Sequence, residues 1–294
     1  MIVRRPFIII HSLFYILLLC SCGHSEEQKR IITQREKAEQ RRLDSLALKI
    51  AVLPTLDAMP LYVAREIHLF EQEDVDVRLR KFNAQMDCDT AILGKSVEGV
   101  LTDTIRYQYL ERKGTSLRII STSELYWQLI ANRAARLKQL GQFGDKMVAI
   151  TRHSGTDYLT DKVLHGVKTT APVFRIQVND VSLRLKMLLN NEMDAAWLPE
   201  PQATVARLSR HVVIADSRKE DAGLGVLAFR RRALEDPRIR DQVSRFVKAY
   251  NKACDSINHY GLSHYGIIVS RECHVDPSIV DTIPPIKYKK IKYS

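Results

Sequence analysis

Short apolar segments alternate with helix-forming segments along most of this 294-residue chain. Lys49–Leu53 (KIAVL) is bounded by Pro54 and is typical of a buried strand, whereas Val75–Phe82 alternates apolar with polar residues, as a half-buried strand does. The same rhythm returns later in MVAIT, VFRIQV, DAAWL, VVIAD and VLAF. Two consecutive βαβαβ runs predict an α/β protein of two lobes with largely parallel sheets, closed by a long helix over Ile239–Tyr260.

The composition excludes several classes of protein. Hydrophobic residues make up 45% of the chain and charged residues 27%, which is typical of a folded globular protein and not of a disordered, collagen-like or multispan membrane chain. Lys and Arg number 45 against 34 Asp and Glu, a formal charge of +11. Such an excess fits either nucleic acid or an anionic membrane surface as a partner. Five cysteines are too few for a disulfide scaffold or a zinc ribbon.

Residues 1–21 have the pattern of a secretory signal peptide. Arg4 and Arg5 precede an apolar run, Phe7–Leu19, which is shorter than the ~20 residues that a membrane-spanning helix needs. The run ends in LCSCG, which resembles a bacterial lipobox and implies cleavage before Cys22 and acylation of that cysteine. An uncleaved N-terminal anchor helix is the alternative. Both interpretations place the protein outside the cytoplasm, on the periplasmic face or the cell surface of a bacterial membrane, and exclude nucleic acid as a partner.

Residues 22–47 are predicted to be a polar tether between the lipid anchor and the folded part of the chain. The segment is rich in Glu, Gln, Lys and Arg, which favour a helix but leave it without an apolar stripe. Ile31, Ile32 and Leu43 do not form a broad face, so a helix lying in the membrane surface is less favoured.

The body of the chain resembles a known family of binding proteins. The segments are KIAVLPTLDAMPLYVAREIHLFEQEDVDVRL, GVLTD, DKMVAITRHSGTDYLTDKVL, NEMDAAWLPEPQATVA and LGVLAFRRRALED, spread over Lys49–Tyr260. In order and spacing they resemble the extracytoplasmic solute-binding proteins of the nitrate/sulfonate/bicarbonate and thiamine-precursor group, which serve ABC importers. The tail from Ser263 to Ser294 matches this family poorly.

The resemblance implies a type II periplasmic-binding-protein fold, in which the chain crosses between two lobes twice. The hinge crossings are expected near Tyr126–Ile130 and Gly223–Ala228. The first lobe then comprises residues 48–128 plus 228–294, and the second lobe residues 129–227.

The function that the resemblance implies is binding without catalysis or a cofactor. The expected partners are a small-molecule ligand, an ABC permease subunit and the membrane, which the monomeric protein reaches through its lipid. A sensor or scaffold module with the same fold is the alternative. A pyrimidine-synthase-like enzyme is less favoured because the cysteine-rich iron motif of those relatives is missing, as are G-x-S-x-G, HExxH and Walker A motifs.

The candidate ligand-binding residues follow predicted strands. In open α/β sheets, ligands bind beyond the carboxyl ends of the strands, where helix N-termini present free N–H groups. Applied to this chain, that rule selects Thr55, Leu56, Asp57, Met59, Asn83, Gln85, Met86, Asp103, Thr104, Ser154, Gly155, Thr156, Trp197 and Glu200.

Several of these residues have two interpretations. Ser154-Gly155-Thr156 opens a helix and either caps it or holds the polar end of a ligand. Trp197 is either a flat wall of the cleft or a core residue. Glu200 either contacts the ligand or shapes a turn before Pro201.

The charges of these loops leave the ligand class open. Asp57, Asp103 and Glu200 disfavour a doubly charged inorganic anion, and Arg152 is the one evident cation on the selected loops. An organic anion such as a sulfonate and an amine-bearing heterocycle such as a thiamine precursor both stay possible.

The remaining cysteines and histidines carry no clear site. Cys254 falls near the apolar stripe of the long helix and is expected to be a buried thiol, with a Cys254–Cys273 disulfide as the alternative. His259, His264 and His274 have no spacing typical of metal ligands, so no metal site is predicted.

Overall fold

The structure is a computed structural model that describes residues 26–220 and 223–293. The chain divides into two units, the first ending at Leu46 and the second beginning at Ala47. The described part of the first unit is helix α1 (Glu26–Leu46), whose side chains from Arg30 onward are almost all exposed where they are described. None of the helices in residues 26–220 and 223–293 combines the length and the hydrophobicity that a membrane span requires. The predicted signal peptide and Cys22 lie outside the described residues.

The second unit contains two five-stranded sheets with helices on both sides. The strands are β1 (Leu48–Val52), β2 (Val77–Lys81), β3 (Gly99–Asp103), β4 (Leu117–Thr122), β5 (Trp127–Ala131), β6 (Met147–Ile150), β7 (Phe174–Gln177), β8 (Ala195–Pro199), β9 (Val212–Asp216) and β10 (Gly225–Arg230).

Most helices follow strands directly, as the sequence predicts. They are α2 (Met59–Glu66), α3 (Leu69–Gln72), α4 (Gln85–Leu93), α5 (Thr104–Arg112), α6 (Gly155–Leu164), α7 (Val181–Leu189), α8 (Gln202–Leu208), α9 (Arg231–Glu235), α10 (Pro237–Tyr260) and α11 (Gly266–Cys273). Short 3-10 helices span Leu56–Ala58, Arg133–Ala135, Leu140–Phe143, Ser263–Tyr265 and Pro277–Thr282.

Each sheet contains one strand that the chain enters directly from the other lobe. The first sheet has the order β2-β1-β3-β10-β4, and β10 is antiparallel to both of its neighbours. The second has the order β7-β6-β8-β5-β9, and β5 is antiparallel to both of its neighbours. These two strands arrive from the opposite lobe with no helical crossover, so they run against the strands that βαβ units align in parallel. The sheets are therefore mixed, which the largely parallel prediction did not include.

The two passages between the sheets are short. The chain leaves the first sheet at Thr122 and enters the second at Trp127, then leaves the second at Asp216 and re-enters the first at Gly225. Both passages begin a few residues before the predicted crossings, because Trp127 and Gly225 already pair within sheets.

The core of the first lobe forms around helix α10. Val243, Phe246 and Tyr250 are buried on the stripe that the sequence predicts, and Phe246 packs against Phe70 with ring centroids 6.1 Å apart. Cys254 on the same helix is a buried free thiol, as is Cys273. The alternative of a disulfide between them is not what the structure contains.

Candidate functional site

A cavity lies between the two lobes, at the carboxyl ends of β1, β3, β6 and β8. Polar side chains dominate its lining: Thr55, Asp57, Gln85, Thr102 and Asp103 from the first lobe, and Thr151, Ser154, Thr156, Asn179 and Arg184 from the second. Leu53, Leu101, Leu125, Trp127, Val181 and Pro199 complete it. The cavity measures about 30 Å³, enough for only one or two water molecules. In this conformation the lobes are closed around it.

Backbone hydrogen bonds join the lobes on opposite sides of the cavity. The Val181 N–H donates to the Asn83 carbonyl at 3.2 Å, and the Leu56 N–H donates to the Glu200 carbonyl at 3.0 Å. In both pairs one partner belongs to each lobe. The cavity is thus bounded by contacts that opening of the lobes would break.

Asp103 connects two helix N-termini from different lobes. Its carboxylate caps α5 by accepting from the Arg106 N–H at 2.8 Å, and it also accepts from the Gly155 N–H at the start of α6. Burial raises the pKa of Asp103 to about 6, although these N–H donors favour the ionised form. Gly155 also allows the start of α6 to pack closely against Trp127, because a Cβ there would lie 3.0 Å from the Trp127 ring. A carboxylate of the chain itself therefore occupies the anion-favouring end of α6.

Asp57 is the second buried carboxylate of the cavity. The Thr55 hydroxyl donates to it at 2.6 Å and the Ser123 hydroxyl at 3.3 Å. Burial raises the pKa of Asp57, and these hydroxyl donors oppose the shift. Ser123 lies in the passage between β4 and β5, so this side chain connects the cavity to the hinge.

Arg184 is the cationic residue of the cavity. Its guanidinium donates to the Val178 carbonyl at 2.7 Å, the Trp197 carbonyl at 2.8 Å and the Thr151 hydroxyl at 2.7 Å. All three acceptors are neutral, and in the described part of the chain no carboxylate lies within ion-pair distance of it. Burial lowers the pKa of Arg184 to about 10, so the group is still charged at neutral pH. A buried positive charge with neutral partners favours an anionic group beside it.

The selection rule missed Arg184 because this residue lies within α7 and not on a strand-end loop. Helical side chains point back toward the helix N-terminus, so an arginine one turn inside α7 reaches the carboxyl end of the neighbouring strand. The cap residue Asp180, four positions earlier, is the signal that could have located it. Arg152, the cation that the loops suggested, has an exposed side chain.

Six of the residues selected from the sequence line the cavity, and the others lie outside its lining, although the Gly155 N–H donates to Asp103. Thr55, Asp57, Gln85, Asp103, Ser154 and Thr156 line the cavity. Leu56 and Met59 are buried in the core of the first lobe. Asn83 and Met86 are exposed, and Thr104 is partly buried, outside the lining.

Trp197 belongs to the core of the second lobe and does not line the cavity. Its side chain is fully buried, and its indole N–H donates to the Thr160 hydroxyl at 2.9 Å. The core interpretation thus describes Trp197, which lies in the middle of β8, whereas Pro199 at the carboxyl end of the strand lines the cavity. The tryptophan that lines the cavity is Trp127, at the start of β5.

Glu200 has a structural role beside the hinge. Its carboxylate accepts from the Tyr126 hydroxyl at 3.1 Å and from the Thr204 N–H at 3.0 Å, and it forms an ion pair with Arg207 at 2.7 Å. These contacts satisfy the buried carboxylate at the turn into α8. They correspond to the turn-shaping interpretation of Glu200.

No protein-family model matches the chain, and no curated protein matches it. Solved structures do resemble it. The alkanesulfonate-binding protein SsuA from Xanthomonas axonopodis pv. citri, bound to MOPS, matches with a TM-score of 0.71 at 14% identity, over 83% of this chain and 86% of that chain. The periplasmic aliphatic sulphonate binding protein SsuA from Escherichia coli matches with a TM-score of 0.66 at 15% identity, over 83% and 85%.

A third matching structure is a binding protein for a different solute. The periplasmic nitrate-binding protein NrtA from Synechocystis PCC 6803 has a TM-score of 0.67 at 14% identity, over 80% of this chain and 68% of that chain. At such identities the likeness concerns the fold alone. The predicted fold is confirmed: this chain has the two-lobe α/β fold of periplasmic solute-binding proteins.

Proposed function

We propose that the protein is a solute-binding lipoprotein of an ABC importer, which captures a small solute between its lobes and delivers it to a membrane permease. One observation carries the proposal: the buried Arg184 guanidinium, held by neutral acceptors, lines a cavity that both lobes build. Buried charges are normally paired, so an anionic group of a solute would supply the missing partner. The fold of the matching binding proteins supports the same role.

The chemistry of the cavity favours a solute with two different polar groups. Arg184 calls for an anionic group such as a sulfonate or carboxylate. Asp57 and Asp103 on the facing lobe call instead for an amine or another N–H or O–H donor. An organic anion that also carries such a donor satisfies both lobes, whereas a small inorganic anion satisfies only Arg184.

Capture requires the lobes to open. A cavity of about 30 Å³ admits no organic solute in the closed form, so entry requires the lobes to move apart about the two points where the chain crosses between the sheets. A solute shifts the balance toward closure only through contacts that the closed form provides. Its contacts with Arg184 and Asp57, which come from opposite lobes, would be of this kind.

Anchoring through Cys22 completes the proposal. Two or three acyl chains hold a protein on a membrane where a single chain is marginal, at about 0.8 kcal/mol for each buried CH₂. We expect mass spectrometry of the mature N-terminus to find diacylated Cys22 as the first residue. An unmodified Cys22, or cleavage at another position, would contradict the anchor.

A thermal-shift screen tests the capture of a solute. Aminosulfonates, simple sulfonates, thiamine precursors and nitrate form the panel, and we expect the solutes that carry both an anionic and a donor group to raise the melting temperature most. A solute at 100 times its Kd adds about 2.7 kcal/mol to stability, which such a screen detects. Chemical turnover of the bound compound would instead favour an enzyme. A panel without any stabilising member would contradict the proposed solute class.

A further inference from the structure

A second and larger concavity lies beside the passages between the lobes. It measures about 770 Å³, within the ~300–1,000 Å³ of small-molecule sites, and shares no lining residue with the interlobe cavity. We call it the cationic groove because five cationic side chains line it: Arg218, Lys287, Lys289, Lys290 and Lys292. Two carboxylates, Glu124 and Asp255, also line it.

Hydrogen bonds between α10 and the C-terminal tail hold the tail lysines in fixed positions. The Asn258 side chain donates to the Tyr288 carbonyl at 2.8 Å and accepts from the Tyr288 N–H at 2.9 Å. Asn251 makes the same pair of bonds with Ile291, at 3.0 and 2.7 Å. Tyr288 and Ile291 are buried, while the lysines around them are exposed. A cationic surface that is already ordered loses less entropy when it binds a ligand.

The charges of the groove are only partly compensated. Lys289 pairs with Glu124 at 3.4 Å and Lys290 with Asp255 at 3.1 Å. Lys287 and Lys292 have no ion pair with any residue that the structure describes. Positive charges gathered in a concave site focus the field on an anion more strongly than scattered surface charges do.

The opposite wall adds an arginine and an aromatic ring. The Arg218 guanidinium lies 4.0 Å from the centroid of the Tyr126 ring and pairs with Asp216 at 2.6 Å. Arg218 and Tyr126 adjoin the second lobe, whereas the lysines belong to the first. An anion with several charged groups is needed to contact both walls at once.

From these observations we propose that the cationic groove binds clustered phosphate groups. Lysine ammonium groups bind phosphate as point charges, and arginine adds directed N–H donors. The bound group is separate from the solute between the lobes, since the two concavities share no residue. Either a soluble polyphosphorylated compound or the headgroups of anionic lipids supply this chemistry.

Calorimetric titration of the full chain with inorganic tripolyphosphate at low ionic strength tests the proposal. Wild type is compared with the double variant Lys287→Gln/Lys292→Gln. It removes the two lysines that have no ion pair, and it leaves intact the hydrogen bonds of Asn258 and Asn251 to the backbone of the tail. We expect affinity to fall roughly fivefold for each lysine, about 25-fold in total. The control, Lys138→Gln/Lys168→Gln, removes the same charge from exposed sites on the second lobe and should bind like wild type.

Sedimentation with vesicles distinguishes the two sources of phosphate. Vesicles of phosphatidylcholine, with and without phosphatidylglycerol, are offered to the same three proteins. Binding that needs phosphatidylglycerol and is lost only in the groove variant supports a lipid source, and tripolyphosphate binding with the same loss supports a soluble one. Equal weakening in both double variants, or no binding of either probe, would overturn the proposal. The solute found by thermal shift should bind the groove variant as tightly as wild type. A failure of phosphate binding in the groove can therefore be distinguished from a failure of solute capture between the lobes.

Discussion

Replacing Arg184 with methionine is expected to weaken binding of the solute by about a hundredfold or more. Removing one partner from a buried, charged hydrogen-bonded contact loses ~2–5 kcal/mol, and 2.7 kcal/mol corresponds to a hundredfold in Kd. With its pKa lowered only to about 10, the guanidinium is charged at pH 7, where the titration is done. Calorimetry with the solute identified by thermal shift measures the effect.

Stability must be measured together with affinity, because Arg184 also supports the second lobe. Methionine leaves the Val178 and Trp197 carbonyls and the Thr151 hydroxyl without this donor, at roughly 1–3 kcal/mol for each group left unsatisfied. Urea unfolding therefore establishes that the variant is folded under the titration conditions. Binding is then compared for folded protein only.

Two matched variants separate charge from geometry. Arg184→Lys keeps the positive charge and loses the planar fork, so we expect an intermediate affinity. Arg152→Met removes an exposed arginine near the cleft and should change affinity by less than about twofold, because exposed charges contribute little. A folded Arg184→Met protein that binds the solute as tightly as wild type would remove Arg184 from the site.

The individual strands and helices could be predicted from the sequence, because the patterns that indicate them extend over only a few neighbouring residues. An apolar run bounded by Pro54 gave β1, and an apolar stripe of 3.6-residue period gave α10. The antiparallel entries of β5 and β10 were not predictable in this way, because a strand has the same pattern in either direction. Their direction follows from the crossings between lobes, which are a property of the whole chain.

The candidate site was predictable only for residues at the carboxyl end of a strand or shortly after it. Asp103 ends β3, Asp57 and Thr156 come shortly after β1 and β6, and all three line the cavity. Arg184 reaches it from inside a helix, and Trp127 reaches it from the first position of a strand. In contrast, Trp197 lies in the middle of β8, two residues before Pro199 at the carboxyl end, so its side chain packs in the core and does not reach the cavity.

The stability of the protein is expected to depend on pH through Asp103. Burial raises the pKa of this carboxyl from 3.8 in the unfolded chain to about 6, so between these values the folded protein holds a proton that the unfolded chain has released. Where the folded state binds more protons, stability falls as pH rises. Ionisation of Asp103 should therefore lower the free energy of unfolding by about 2.4 kcal/mol between pH 4 and pH 7, most of the total of about 3 kcal/mol at 1.36 kcal/mol for each unit.

The Asp103→Asn variant isolates this effect. Asparagine caps a helix about as well as aspartate and does not titrate, so the stability of Asp103→Asn relative to wild type should rise by about 2.4 kcal/mol from pH 4 to pH 7. Urea unfolding at intervals of half a pH unit measures the difference between the two proteins, in which the titration of all other groups cancels.

A second helix-capping residue, Asp276, predicts a pH dependence of stability with the opposite sign. Asp276 accepts a hydrogen bond from the Ser278 N–H at 2.8 Å at an exposed position, and hydrogen bonds from Ser278 lower its pKa. An ionised Asp276 stabilises the fold, so the Asp276→Asn variant should become less stable relative to wild type as pH rises toward 3.8, and should change little relative to wild type between pH 4 and pH 7. If Asp103→Asn instead follows Asp276→Asn, or stays level with wild type at every pH, the Asp103 carboxyl is solvated in the folded protein. It would then not lie between the N-termini of α5 and α6, and the lobes would be open in solution.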